Sequence, residues 1–353
     1  MTRPSIFKAV VLALLFALGG GAALGSDWEV RPSGVAVRLR GVSAVSPSVA
    51  WASGERGTYL RTIDGGRTWK AATVPGAEEL DFRDVDAFDA RTAYLLSIGP
   101  GDRSRVYKTT DGGRRWELQF KNTRPEAFFD AMAFWDRDHG IALSDPVGGR
   151  FLVIRTSDGG RTWEETPASG MPPALEGEGA FAASGTCIAV GPGGRAWFGT
   201  GGPAGARVFR SSDGGRTWEV SGTPFVGGKS AGVFSVAFRD ARRGVIVGGD
   251  YTKEGDARDN VAVTEDGGRT WRTPRGTRPG GYRSCVAYLT SRRTPVLVAA
   301  GPNGTDYSLD GGDTWAALGP EGFHSISFVS RQPAGWGVGE KGKVARYGGS
   351  VHE

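Results

Sequence analysis

The sequence predicts an all-β fold: a sequential seven-bladed β-propeller of four-stranded antiparallel blades. Three observations carry that prediction. Gly supplies 58 of 353 residues beside 19 Pro, 11 Trp and 17 Phe, and such turn formers and bulky residues favour many short strands over long helices. A turn motif recurs six times, its Asp residues spaced 47, 47, 55, 53 and 44 apart. The 328 residues after position 25 divide into seven units of about 47, the period of a four-stranded blade. Six or eight blades are the neighbouring solutions. The Gly has no period of three, which excludes collagen, and a hydrophobic content of 39% excludes disorder.

Residues 1–25 are expected to be an export signal and 26–353 a single propeller. Arg3 and Lys8 make a basic start, Val10 to Leu18 is an unbroken apolar run, and Ala23 and Gly25 sit at −3 and −1 of a cut before Ser26. The apolar run is short for a membrane span, so cleavage near Gly25 is expected rather than an uncleaved anchor. This predicts a periplasmic or secreted protein. Removing Arg3 and Lys8 lowers the formal net charge from +5 to +3, too mild a balance to imply nucleic acid. Cys187 and Cys285 fall in apolar runs of non-adjacent units and are expected to be small buried hydrophobes without a bridge.

The motif first appears as Thr62-Ile63-Asp64-Gly65-Gly66-Arg67-Thr68-Trp69 and recurs around Asp111, Asp158, Asp213, Asp266 and Asp310. Ser or Thr always stands two positions before the Asp and Trp five positions after it. The carboxylate is expected to accept from backbone N–H groups of its own turn, with the Gly pair supplying positive φ. The hydroxyl then holds the incoming strand, and the Trp packs under the turn. These six Asp residues are therefore assigned to structure rather than chemistry.

Between motifs the strands follow in a fixed order. Ser235–Phe238 meets a polar turn, Gly244–Gly248 follows, a variable loop leads to a third strand, and Trp271 begins the fourth. First strands are expected near Val42, Val85, Met132, Phe181, Val236, Val286 and Ile326. The last unit, 323–349, supplies three strands, and Asp27-Trp28-Glu29-Val30 resembles the post-turn strand Thr217-Trp218-Glu219-Val220. The N-terminal strand should therefore complete the last blade and remove the open edge.

The six turns resemble Asp-boxes, or BNR repeats, of the sialidase type. The whole array is similar to the photosystem II stability/assembly factor-like propellers. That resemblance spans 27–349 and includes the Val-Ala-Phe, Gly-Ile-Ala-Leu-Ser (140–144) and Gly-Trp-Gly-Val-Gly (335–339) segments. It implies a chaperone-like scaffold that binds a membrane-protein assembly intermediate; some relatives carry oxidoreductase or glycosyl hydrolase labels. Such a family name constrains fold better than function.

If the Asp turns join strands three and four, they share one face of the disc. The longer loops 97–105, 164–180, 191–206 and 249–260 then share the other, where binding normally sits. Aligning the first strands places Arg40, Arg83, Asp130, Glu178, Arg283 and His324 near the channel mouth on that loop face. There they hold a polar or peptide ligand, or pair among themselves. Asp145, Asp250, Tyr251, Lys253, Asp259 and Asn260 come from neighbouring loops. Arg67, Arg114, Arg161, Arg216 and Arg269 should ring the Asp-turn face, broken by Asp313.

Three function classes follow. The first is a monomeric non-enzymatic scaffold for an envelope or membrane protein or peptide, with no cofactor and no metal. The second is a glycosidase or glycan-binding propeller, whose carboxylate pair would come from Asp130, Asp145, Glu178 and Asp250. The Phe/Tyr-Arg-Ile-Pro segment of sialidases is missing from 27–61, where Arg31-Pro32 is only a fragment. The third is redox chemistry, but the Gly-rich run 191–202 precedes a strand rather than a helix, against a dinucleotide loop.

Overall fold

The computed structural model describes residues 27–290 and 295–349; the expected export signal lies outside the described residues. Seven antiparallel sheets follow one another along the chain. Their first strands touch in a closed circuit and line the axis. These inner strands are Leu39–Ala44, Asp81–Ala87, Phe129–Phe134, Ile188–Gly191, Ala231–Phe238, Cys285–Leu289 and Ser325–Phe328. The core is split into apolar layers between blades, such as the layer joining Ile141, Phe151 and Met171 of blade 3 to Phe198 and Phe209 of blade 4.

The ring closes through its two ends. Trp28–Arg31 pairs antiparallel with Val344–Tyr347, in the register Trp28 opposite Tyr347 and Arg31 opposite Val344. The last blade is thus three C-terminal strands plus one N-terminal strand, and neither free edge is left to template aggregation.

Six sheets have four strands and blade 5 has three. Its fourth strand shrinks to a bridge in which Val263 and Arg272 exchange both backbone hydrogen bonds, at 2.9 and 3.0 Å. The next position that would donate is Pro274, which has no N–H, so the ladder stops there.

The Asp turns work as stapled hairpins. Thr62 Oγ1 donates to Asp64 Oδ1 at 2.9 Å and accepts from Gly66 N at 2.9 Å. Thr68 donates its amide to Oδ1 and its hydroxyl to Oδ2, at 2.9 and 2.6 Å. These donors hold the Asp64 carboxyl down at about 2. Gly65 and Gly66 sit at φ +76 and +80, conformations that favour Gly. Among the described residues five of the turns lean on the first hairpin of their own blade, as Gly65 N donates to Ser48 O at 3.0 Å. First hairpins and Asp turns therefore share one face, and the longer connections share the other. The five repeated Arg side chains are exposed on the Asp-turn face.

One segment departs from the expected plan. The inner strand of blade 4 is Ile188–Gly191, not a strand near Phe181. Residues 179–187 instead cross the axis as a plug. Arg83 NH1 donates to Ala182 O at 2.9 Å and Arg40 NH1 to Ala183 O at 3.4 Å. Ser184 Oγ donates to Ser284 O at 2.8 Å, Ser325 Oγ donates to Ser184 O at 3.1 Å, and Thr186 Oγ1 donates to Ser235 Oγ at 2.7 Å. The plug thereby touches blades 1, 2, 5, 6 and 7. Residues 191–206 also divide: 192–194 form a tight first hairpin on the Asp-turn face, Arg195–Gly199 is a strand, and only 200–206 remains on the loop face.

Candidate functional site: the loop-face cavity over the plug

A cavity of about 670 Å³ opens on the loop face above the plug. Its walls are built by a repeated backbone irregularity. The inner strands of blades 1, 2, 3 and 5 each slip register by one residue, between Leu39 and Gly41, Phe82 and Asp84, Phe129 and Ala131, and Val233 and Ser235. The extra residues are Arg40, Arg83, Asp130 and Phe234, and all four line the cavity. A bulge re-aims its side chain away from the strand's normal alternation, here into the mouth of the axis.

The cavity has a cationic side and an aromatic side. Arg38 pairs with Glu340 at 3.0 Å and Arg83 with Asp81 at 2.8 Å. Among the described residues Arg40 has no carboxylate within ion-pair distance, and its Nε is buried without a partner. Burial, then Arg83 and Arg38, lower its pKa to about 10. Opposite, Phe181 stacks on Phe234 with centroids 3.9 Å apart, and Tyr282 meets Phe234 edge-on at 4.8 Å. Tyr251, about half exposed, stands at the rim.

The acids behave differently from the cations. Asp130 is buried and its Oδ2 has no hydrogen-bond partner. Burial, then the Asp145 charge, push its pKa well up, with Arg83 pulling the other way. Asp145 Oδ1 accepts from Ala180 N at 2.8 Å, and burial raises its pKa as well. His324 Nε2 lies 2.8 Å from Glu340 Oε1. Burial, then Arg40, lower the His324 pKa to about 4, so the imidazole is neutral at pH 7.

The cavity therefore gathers Arg40, Arg83, Asp130, Asp145, Tyr251 and His324. Six residues expected at or beside the mouth lie elsewhere: Glu178, Arg283 and Asp250, with Lys253 and Asp259 beside Asp250 and with Asn260 fully buried. Glu178 is closed off by Arg207, by Thr200 Oγ1 at 2.6 Å and by Leu175 N at 2.8 Å. It belongs to the loop that feeds the plug rather than to an inner strand. Arg283 is buried against Asp306, with Nε to Oδ2 at 2.6 Å, and against Asn303 at 2.7 Å. The inner strand of blade 6 begins at Cys285, and the residue matching Phe234, two before Val236, is Ser284, two before Val286; Arg283 stands one residue off, and one residue reverses the face. Asp250 binds Ser230 Oγ at 2.7 Å and Thr252 N at 2.9 Å, in a separate cavity of about 380 Å³. That leaves Asp130 and Asp145 as the candidate carboxylates sharing one cavity. Sequence reasoning missed Phe181, Phe234, Tyr282, Arg38 and Glu340. Only Phe234 carried a signal, because it occupies the same strand position as Arg40 and Arg83. Among the described residues no group of three or more His, Cys, Asp or Glu is placed to hold a metal ion.

No family model matches the chain. No curated protein matches it either. Solved structures do. The structure of YCF48 bound to D1 peptide is 19% identical, with a TM-score of 0.63 over 91% of this chain and 96% of that one. YCF48 from Cyanidioschyzon merolae is 18% identical, with a TM-score of 0.61 over 91% and 98%. The WD40 β-propeller domain of Doa1 is 11% identical, with a TM-score of 0.59 over 93% and 98%. At these identities the likeness establishes the propeller fold.

Proposed function

We propose that the chain is an exported, non-enzymatic scaffold or assembly factor that binds a protein or peptide segment in its loop-face cavity. The observation that carries this reading is Arg40: a guanidinium at the cavity mouth with no carboxylate partner among the described residues, facing an aromatic wall. Leaving such a cation unpaired in a partly dry site costs stability; a carboxylate on the bound segment would relieve that cost, and Phe181, Phe234 and Tyr251 would take its apolar side chains. The neighbour solved with a D1 peptide supports a peptide-binding reading. An envelope or membrane protein is the proposed client, bound by a monomer in the periplasm or outside the cell.

The test is capture from a solubilised envelope extract by wild type and by an Arg40→Glu, Arg83→Glu variant of matched unfolding temperature. A client retained by wild type and lost by the variant supports the proposal, and equal retention by both contradicts it.

Glycan hydrolysis is the second reading, because Asp130 and Asp145 share the cavity with raised pKa values, Asp130 through burial and then the Asp145 charge, Asp145 through burial. It requires one carboxyl as acid and the other as base or nucleophile. Turnover of aryl glycosides by wild type, abolished in both Asp130→Asn and Asp145→Asn, would favour it over the scaffold.

A further inference from the structure

The Asp-turn face carries a second cavity, larger than the first, of about 1240 Å³. It is a radial cleft between blades 3 and 4 that reaches Ser330 of blade 7 at the axis. Its origin lies in one repeated position, the residue just before the Ser or Thr of each Asp turn. In blade 1 that residue is Arg61, whose NH1 donates across the blade gap to Ala90 O at 2.6 Å. In blade 2 it is Lys108, whose Nζ donates to Gly159 O at 2.7 Å. In blade 3 it is Arg155, and among the described residues no such acceptor reaches it. The first hairpin of blade 4 is the clipped turn Pro192-Gly193-Gly194, where blades 2 and 3 carry the longer turns 88–92 and 135–139. The short turn withdraws one wall and leaves the cleft.

Arg155 is stranded by that change. It lies opposite Glu164 in the strand register, yet forms no ion pair with it, and its Nε is buried with no hydrogen-bond partner. Its side chain runs instead toward the Asp turn of blade 4: a Cβ built on Gly215 would sit 3.2 Å from Arg155 Cδ. Arg216 shares the cleft, and its guanidinium donates only to its own turn, to Asp213 O at 2.8 Å. Asp213 is occupied by that turn, accepting from Ser211, Arg216 N and Thr217. Two cations thus face the same space, and among the described residues neither is ion-paired: of the carboxylates on the lining, Asp213 is held by its turn, Asp136 by His139 at 2.9 Å, and Glu164 is exposed at the rim. Beside them Trp135, half-buried, has its indole N–H committed to Arg195 O at 2.8 Å, which fixes the ring as a wall of the cleft.

We infer that this cleft binds an anionic sugar, a pyranose-sized ring bearing a carboxylate, sulfate or phosphate. The planar Arg155 fork and Arg216 would take the oxyanion, and Trp135 would take the ring. The site is on the opposite face from the loop-face cavity and stands independently of the function proposed for it.

The experiment is calorimetric titration of the chain with glucuronate, glucose 6-sulfate and glucose 6-phosphate, with glucose and inorganic phosphate as controls. The Trp135 indole N–H resonance, assigned through Trp135→Phe, is followed in parallel. The expected result is that at least one anionic sugar binds more tightly than either control and moves that resonance. The sugar that binds names the oxyanion. Arg155→Gln should weaken it about tenfold or more, the loss of a charge-assisted pair, while Arg155→Lys keeps part of it. Arg216→Gln, at an exposed position, gives the same direction of change should Arg155→Gln fail to fold. Absence of binding by all three sugars at millimolar concentration overturns the inference. So does equal binding of inorganic phosphate, or unchanged affinity in both folded Gln variants.

Discussion

Trp28 lies opposite Tyr347 in the ladder that joins the two ends of the ring, with ring centroids 5.3 Å apart and planes at 63°. Trp28 also meets Phe323 at 4.7 Å and is almost fully buried. Closure is therefore a packed aromatic cluster and not backbone pairing alone. Trp28→Ala should destabilise the whole propeller by about 3–5 kcal/mol, the range for truncating a large buried aromatic. Chemical denaturation checks this, and a loss below about 1 kcal/mol would mean that the closing strand contributes little.

The plug supplies a second prediction through two glycines with the same backbone angle. Gly185 and Gly76 both sit at φ +76, but a Cβ on Gly185 would lie 2.2 Å from Asp84 Oδ1, while one on Gly76 meets nothing within 4 Å. Each Ala variant carries the strain of positive φ, about 1 kcal/mol. Gly185→Ala adds the clash, so its denaturation midpoint should fall further than that of Gly76→Ala. Equal midpoints would show that the plug gives way freely.

The seam between blades 2 and 3 should respond to pH. Met132 N donates to Asp84 Oδ2 at 2.7 Å, and Phe134 N donates to Asp86 Oδ2 at 3.0 Å. Burial raises the Asp86 pKa from 3.8 to about 6. The native state therefore holds this proton more tightly than the unfolded chain does. The favourable contribution is complete below about pH 3.8 and is lost as pH rises through about 6. Asp86→Asn, which keeps an acceptor for Phe134 and never ionises, should gain stability over wild type by about 2 kcal/mol between pH 4 and 7, the partial exposure of the group reducing the full linkage value. A stability difference that stays flat across that range would contradict the shift.

His324 moves in the opposite sense. Burial, then Arg40, depress its pKa from 6.5 to about 4. Its contribution is present above pH 6.5 and is lost as pH falls toward 4. The ring-proton resonance of His324 should stay in its neutral position from pH 8 down to about 5. Arg40→Ala should raise the midpoint. A wild-type midpoint near 6.5 would place His324 in open solvent.

These sites show how far the chain could be interpreted residue by residue. The blade count, the Asp-turn face and the completion of the last blade by the N-terminal strand were all legible, because each rests on a short-range pattern repeated with a fixed period. Arg40, Arg83 and His324 followed from the same alignment. Arg283 was placed one residue off, since the position two before Val286, which matches Arg40 before Val42 and Phe234 before Val236, is Ser284. Glu178 failed for a different reason. Ala180-Phe181-Ala182-Ala183 has the composition of an inner strand, and only the three-dimensional ring reveals that it crosses the axis instead. Arg155 carries no local signal at all, because its isolation depends on the length of a hairpin in the next blade.

The central claim is that Arg40 and the aromatic wall form a peptide-binding site on the loop face. The most direct measurement is fluorescence anisotropy of a labelled peptide carrying aromatic residues and a free carboxylate, titrated with wild type and with Arg40→Gln of matched unfolding temperature. Wild type should bind, Arg40→Gln should bind about tenfold or more weakly, and amidating the peptide's carboxylates should reproduce that loss without the mutation. Equal affinity of the two proteins, or indifference to amidation, would contradict the claim.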